Sequence, residues 1–310
     1  MCERSPITDQ VRKFYEQFHF PGIRPLDHDG LILMRHLAAC LPGSGRKELH
    51  RRVLDAGCGT GNTGISLARS FRDVDFLGID FSAPSLAIGE KAARDAGLHN
   101  IRFRQWNLLD RELHEGLFDV VLCLGVLHHT ADMRVVLANL RETMTDEGSL
   151  YLWVYGHHGR YRHSLNRRLL DMLLSTVASG DDPVVLAREL LLNADHGAVS
   201  RDLFGTGLPA SLKEKVGNQP AWIADQFLSP NEILLTMESL LPLLRGAGLE
   251  LVQWLGLPEK APRLLGSELL LERFERLDHD QQRIALDLLL KPERYFLVLR
   301  KLSRSEVTPS

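Results

Sequence analysis

The chain has 310 residues, 44% of them hydrophobic and 25% charged, enough for one α/β domain with a sizeable addition. A formal net charge of −3 and a pI near 6.5 give no bulk electrostatic reason to expect nucleic acid or an anionic membrane as partner; only a local basic patch could supply one. Cys2, Cys40, Cys58 and Cys123 are far apart and form no C-x-x-C pair, which disfavours a disulfide framework or a zinc site and fits a reduced, cytoplasmic setting with no metal. The first ten residues lack the apolar core of a secretory signal, and no window reaches the ~18 apolar residues of a membrane span.

In chain order, residues 8–20 predict a short amphipathic helix with Val11, Phe14, Tyr15 and Phe18 on one side, Thr8 or Asp9 as cap and Pro21-Gly22 as its end. A second helix over about 31–41 precedes the P-G-S-G linker at 42–45, so that residues 1–48 form an N-terminal helical cap. The stretch R-V-L-D-A-G-C-G-T-G-N, residues 52–62, runs from a β-branched strand through three glycines into a helix start. Gly57, Gly59 and Gly61 would let the backbone approach a ligand closely, and the unpaired amides of the helix near Asn62 would face an anionic end. No Lys-Ser/Thr follows, which disfavours a P-loop, and Asp55 stands where a dinucleotide strand is usually apolar.

Residues 74–80, V-D-F-L-G-I-D, read as a buried parallel strand ending on an acid, with Ser82 capping the next helix and Pro84 in its first turn. Asp80 sits where its carboxylate would accept hydrogen bonds from both hydroxyls of a ribose diol, next to Phe81. A third strand at 101–105 leads to W-N-L-L-D with Asn107 and Leu108, and a fourth, F-D-V-V-L-C-L at 118–124, is followed by G-V-L-H-H-T.

From the glycine loop to His129 the chain resembles the class I S-adenosylmethionine-dependent methyltransferases of small-molecule type. V-L-D-A-G-C-G-T-G looks like their first motif and G-V-L-H-H-T like their fourth. The resemblance implies S-adenosylmethionine as cofactor, with Asp55 in the first motif, an adenine contact at Asn107 where the family commonly has an acid, and backbone contacts from Leu124 and Gly125. The amide oxygen of Asn107 can accept the same hydrogen bond without charge. V-R-K-F-Y-E-Q-F-H-F-P resembles a segment that in some bacterial methyltransferases places a tyrosine-bearing helix over the cofactor, which would give Tyr15 a lid role; a docked apolar helix is the alternative. His128 and His129 could orient a substrate or take a proton, or be satisfied locally at a helix start.

A fifth strand at 149–155 ends in G-H-H-G-R-Y-R-H-S-L-N-R-R, at the sheet edge where ligands bind. Arg160, His163 and Arg167 share one side of the helix predicted to begin by Gly159, opposite an apolar side of Leu165, Leu169, Met172 and Leu173. That basic face is either solvated or, with His157 and Tyr161, recognises a carboxylate or phosphate, for which arginine's fork is suited. Residues 160–228 read as a helical insertion with pieces at 164–178 and 183–193 and a broken stretch carrying Asp202, Phe204, Trp222, Asp225 and Phe227, expected to serve as substrate lid. Ser229 with Pro230 and Glu232 predicts the cap of the next helix, a strand follows near 250–255, helices near 267–276 and 279–290, and a buried last strand at 295–300; the tail 303–310 reads as disordered.

The expected architecture is thus an α/β fold: a seven-stranded, mostly parallel, doubly wound sheet. Residues 49–159 form its cofactor-binding half and 229–302 complete it, with an N-terminal helical cap and a helical insertion after the fifth strand. The resemblance implies in-line methyl transfer to a small acceptor with an anionic group. There is no N/D-P-P-Y run, no proline-cysteine pair, and no set of spaced acids after the fifth strand, which disfavours the subclasses that use them, with His157 and His158 keeping a metal-dependent type open. An NAD-dependent oxidoreductase and a non-catalytic S-adenosylmethionine-binding protein stand as alternatives, and the sequence leaves a homodimer open.

Overall fold

The computed structural model describes residues 5–21, 28–40, 51–111, 113–176, 182–192, 218–258 and 260–302. Seven strands form one sheet in the order β3-β2-β1-β4-β5-β7-β6: β1 Arg52–Ala56, β2 Asp75–Asp80, β3 Ile101–Gln105, β4 Phe118–Leu124, β5 Met144–Tyr155, β6 Leu249–Trp254 and β7 Arg294–Lys301. The first five are parallel neighbours, and β7 runs antiparallel between β5 and β6. The reversal of strand order lies between β1 and β4, whose carboxyl ends open the crevice where such sheets bind ligands.

Strands β1, β2 and β4 are apolar along nearly their whole length because both faces are covered. On one face, α5 (Met133–Glu142) and α8 (Met237–Gly246) pack on Leu54, Leu77, Val121 and Leu152. The other face buries Val53, Phe76, Leu122 and Tyr151 under α3 (Asn62–Ser70), α4 (Ala83–Asp95) and α2 (His28–Cys40). Ser82 caps α4 by accepting the Ser85 amide, with Pro84 in the first turn, as the sequence predicts.

A third, smaller core lies apart from the sheet. It joins Leu170 of α6 (His157–Leu174), Val184, Ala187 and Leu191 of α7 (Pro183–Leu192), and Ile223, Ala224 and Phe227 from a short turn at Pro220–Ile223 that continues as a π-helical turn, Ala224–Leu228. Phe14 and Phe18 at the end of α1 (Pro6–Gln17) pack against it, so the two ends of chain that flank the crevice share one hydrophobic cluster. Helix α10 (His279–Leu290) packs beside α8, its Asp287 accepting from the Met237 amide and the Tyr295 hydroxyl, and α9 (Glu268–Glu275) lies against α10.

Several expectations need correction. Helix α1 begins at Pro6 with Ser5 before it, and Thr8, predicted as a cap, is buried inside it. Strand β5 starts at Met144 and not at 149, so it takes in the five residues before the predicted strand. No helix starts at Ser229: residues 229–235 are held extended because Ile233 and Leu235 donate to the carbonyls of His128 and Tyr155, and α8 begins instead at Thr236 with a capping box to Ser239.

Helix α6 is turned the other way round from its sequence pattern. Arg160, His163 and Asn166 face inward, whereas Leu165, Leu169, Met172 and Leu173 are 47%, 40%, 64% and 47% exposed. The desolvation this imposes on Arg160 and Arg167 is offset by Glu232, which the extended segment brings to 3.6 Å and 2.9 Å of them. The linker at 42–45, Asp202, Phe204 and the tail at 303–310 lie outside the described residues. Among the described residues, no helix is long and apolar enough to cross a membrane.

Candidate active site

A cavity of about 530 Å³ opens at the carboxyl ends of β1, β2, β4 and β5 and is roofed by α1 and the π-helical turn. One wall is the glycine loop. The amides of Gly57 and Cys58 both donate to the Ile79 carbonyl, at 2.8 and 2.9 Å, which binds the loop to the end of β2. Gly57 has φ +75°, and a Cβ there would stand 2.6 Å from the methyl carbons of Val126. Gly59 has φ +54°, and a Cβ there would collide with the carbonyl oxygen of Phe20. Glycine is required at both positions by backbone conformation and by space.

Asp80 closes this wall. Its Oδ2 accepts from the Gly59 amide at 2.9 Å and its Oδ1 from the Ser82 amide at 2.8 Å, so the carboxylate is locked in place with further lone pairs left for a ligand. Burial raises its pKa, against those amide bonds. Asp55 accepts from the Gly64 amide at 3.2 Å, and burial, with Asp80 adding repulsion, pushes its carboxyl up to about 7. The Oδ1 of Asn107 accepts from the Leu109 amide at 3.1 Å, which fixes the side chain beside the cavity.

This donor and acceptor set fits S-adenosylmethionine. A side-chain-free cradle at Gly57 and Gly59 admits the backbone-hugging part of the ligand, Asp80 offers acceptors for a diol, and Asn107 retains a lone pair for an exocyclic amine. The Cys58 thiol, pushed up by burial and by Asp55 and Asp80, is no nucleophile.

The opposite wall comes from α1, β5, α6 and the π-helical turn, and it is a connected network. The Tyr15 hydroxyl donates to Asp225 Oδ1 at 2.9 Å, and Gln226 Nε2 lies 2.9 Å from Asp225 Oδ2 and 2.8 Å from the Tyr155 hydroxyl. Arg160 lies 3.6 Å over the Tyr155 ring and donates to Gln226 Oε1 at 3.2 Å. Burial raises the pKa of Tyr15, with Asp225 adding to it, and also raises that of Tyr155, so both hydroxyls stay protonated as donors. His163 Nε2 is 2.8 Å from the Gln226 carbonyl; burial and then Arg160 push its pKa down to about 3, and the neutral ring serves as a brace.

The two adjacent histidines are unequal. His128 is fully buried outside the cavity wall, both its ring nitrogens lack hydrogen-bond partners, and burial together with His129, Arg160 and Arg167 drives its pKa well down. A catalytic role for His128 is corrected on those grounds. His129 lines the cavity, with Nδ1 2.6 Å from the backbone carbonyl of Asn231.

The cavity wall brings together Tyr15, Asp55, Gly57, Gly59, Asp80, Phe81, Asn107, Leu108, Leu124, Gly125, His129, Arg160 and Trp222. Four further sequence candidates fall outside it. Gly61 packs against the Phe103 ring, where a Cβ would come within 2.5 Å. His157 is exposed at the first residue of α6, and Tyr161, 52% exposed, points away from the crevice side of that helix. Arg167 binds Glu232 and the Ser229 carbonyl and braces the wall from behind. The sequence assigns no site role to Tyr155, Gln226 or Asp225, and assigns Glu232 only a helix-capping one. Only Tyr155, at the carboxyl end of a predicted strand, carried a usable signal.

Residues 54–150 match the profile of a family described as a methyltransferase domain. An uncharacterized Synechococcus sp. protein, syc1184_c, is 32% identical over 254 residues, covering 78% of this chain and 58% of that protein. A ubiquinone biosynthesis O-methyltransferase of Acinetobacter baumannii is 39% identical over 83 residues, covering 26% of this chain and 34% of that one. The chain thus spans less than two thirds of these relatives' length. Among solved structures, PKMT2 from Rickettsia typhi in complex with S-adenosylhomocysteine superposes with a TM-score of 0.62 at 17% identity, covering 96% of this chain and 52% of that one, which shows the shared fold. Over residues 54–150 the chain matches a methyltransferase domain, and its sheet has the strand order of the class I methyltransferase fold.

Proposed function

We propose that the protein methylates a small-molecule acceptor carrying an anionic group, by in-line transfer to an O, N, S or C atom. The observation that carries this reading is the single cavity in which Asp80 and the glycine loop face Tyr15, His129, Arg160 and Trp222 across the sheet edge. One wall suits the cofactor and the other is built from side chains that can hold and orient a second molecule.

When bound, the cofactor supplies an activated methyl group. The chain's own residues supply alignment and exclusion of water. Asp80 and Asn107 hold the adenosyl end, and Gly57, Gly59, Leu124 and Gly125 admit the rest against backbone. Tyr15, fastened to Asp225, holds α1 across the opening and keeps bulk water from the reacting centre. Arg160 is the buried cation of the acceptor wall; its ring and amide contacts fix the guanidinium plane, which supports recognition of a carboxylate or phosphate. Trp222 adds a flat apolar surface beside it.

The test is formation of S-adenosylhomocysteine from S-adenosylmethionine when candidate acceptors with and without a carboxylate are supplied. Turnover confined to the anionic members, absent in Asp80→Ala, is the expected result. Binding of the cofactor without turnover on any acceptor would instead favour a non-catalytic binding protein, the reading that Asn107 in place of an acid favours.

A further inference from the structure

Tautomer control at His129 follows from its surroundings. Nδ1 is 2.6 Å from the Asn231 carbonyl, a group that can only accept, so Nδ1 carries the proton. The Ser229 hydroxyl, 3.1 Å from the same nitrogen, donates to the Asn231 carbonyl as well, at 3.2 Å. Asn231 is itself fixed, its Nδ2 donating to the Thr130 carbonyl at 3.0 Å, and the extended segment it belongs to is tied to His128 and Tyr155 by backbone bonds. What His129 offers to the cavity it lines is therefore Nε2 with its lone pair.

We infer that His129 Nε2 is the general base of the reaction and that the acceptor atom is a hydroxyl oxygen. This rests on the methyl-transfer reading above and deepens it. A thiolate or a carbon nucleophile already activated needs no base, whereas a hydroxyl is protonated at neutral pH and gains from one. A protonated amine would have to enter a wall that holds the Arg160 cation and whose buried carboxylate, Asp225, is already engaged by Tyr15 and Gln226. A hydroxyl losing its proton there develops negative charge, which that cation stabilises.

The step balances as follows. The acceptor O–H bond breaks with its proton passing to Nε2. An oxygen lone pair forms the new C–O bond to the methyl carbon. The electron pair of the broken C–S bond stays with sulfur. The positive charge that entered on sulfur leaves on the imidazolium and is lost to water when the crevice opens.

His129 packs against His128, Tyr15 and Tyr155, beyond which stand Arg160, Asp225 and Glu232. His128, held neutral, and Tyr15 and Tyr155, held protonated, contribute no competing charge at the pH of interest.

Two measurements test the inference. In the first, ¹⁵N spectra of the full chain without ligand report the His129 tautomer. A neutral ring protonated on Nδ1 is expected, and protonation on Nε2 would overturn the proposal. In the second, hydroxybenzoates, aminobenzoates and mercaptobenzoates are supplied with S-adenosylmethionine, and the methylated atom is identified. We expect methylation on oxygen, falling roughly 10²- to 10⁴-fold in His129→Gln. The limb of kcat/KM that rises with pH should vanish in that variant, activity should return when imidazole is added to His129→Gly, and cofactor affinity should be unchanged throughout. Methylation on nitrogen or sulfur, or a His129→Gln variant that keeps both rate and pH limb, would overturn the inference alone. No turnover on any member would count against the methyl-transfer reading as well.

Discussion

The two walls of the crevice are built by different means. The cofactor wall is local: Gly57, Gly59 and Asp80 lie within 24 residues of sequence, and their geometry is set by backbone amides donating to Ile79 and Asp80. The acceptor wall is assembled from α1, β5, α6 and the π-helical turn, and its central hydrogen bond, Tyr15 to Asp225, spans 210 residues. A wall made of backbone tolerates little change in residue type but is written in one short motif. A wall made of side-chain networks from distant segments can be retuned piece by piece, which suits a fold whose chemistry is fixed and whose acceptor varies.

That contrast is best broken at Asp80. Asp80→Ala removes an acceptor of two amide bonds and the proposed diol contact. At about 1.5–3 kcal/mol for each charge-assisted bond, cofactor affinity should fall roughly 10²- to 10⁴-fold. Calorimetric titration measures it, with circular dichroism checking that the fold persists; an unchanged Kd would separate the glycine wall from cofactor binding.

A second prediction concerns Asp55 in the same wall. Its folded pKa of about 7 lies above the ordinary 3.8, so between these values the folded state binds more protons than the unfolded one. Stability contributed by the neutral form is therefore present at low pH and lost as pH rises toward 7, by at most roughly 4 kcal/mol. Asp55→Asn keeps an acceptor for Gly64 but cannot ionise. Urea unfolding at about pH 5 and about pH 8 should show the variant gaining on the wild type at the higher pH; a pH-independent difference would contradict the shift.

The acceptor wall should respond selectively. Arg160→Ala should raise the KM of an anionic acceptor roughly ten- to hundredfold, the value of a hydrogen-bonded charge, and Arg160→Lys should recover only part of it because the planar fork is lost. Steady-state kinetics with acceptor and cofactor varied in turn reads this, and an equal effect on the cofactor KM would remove Arg160 from the acceptor's side. Tyr15→Phe is the mildest change: Asp225 keeps its Gln226 partner, so a loss of about 0.5–1.5 kcal/mol and a two- to tenfold rise in KM for both ligands are expected, in the same assays.

Legibility in the sequence follows the same division. The positions of the seven strands could be read because central parallel strands are apolar runs and the glycine loop marks the first crossover, whereas their assembly into one mostly parallel sheet is implied by the family resemblance. Helix α6 could not, because its periodicity separates charged from apolar residues correctly but carries no sign for which side faces in. That sign is set by Glu232, 65 residues beyond Arg167, whose own segment was read as a helix start from S-P-N-E. Local capping chemistry lost there to backbone pairing with His128 and Tyr155. The same extended segment separates His129 from His128, identical in type and adjacent in sequence: its Asn231 carbonyl and Ser229 hydroxyl meet the ring of His129, whereas both ring nitrogens of His128 lack hydrogen-bond partners.

The meeting of the two walls is tested most directly by the structure of crystals soaked with S-adenosylhomocysteine. The ribose hydroxyls should lie on the Asp80 carboxylate, the adenine amine at Asn107, and the sulfur between the glycine loop and the face of Tyr15, His129 and Arg160. Density for the ligand elsewhere on the molecule, or a ribose turned away from Asp80, would contradict the account.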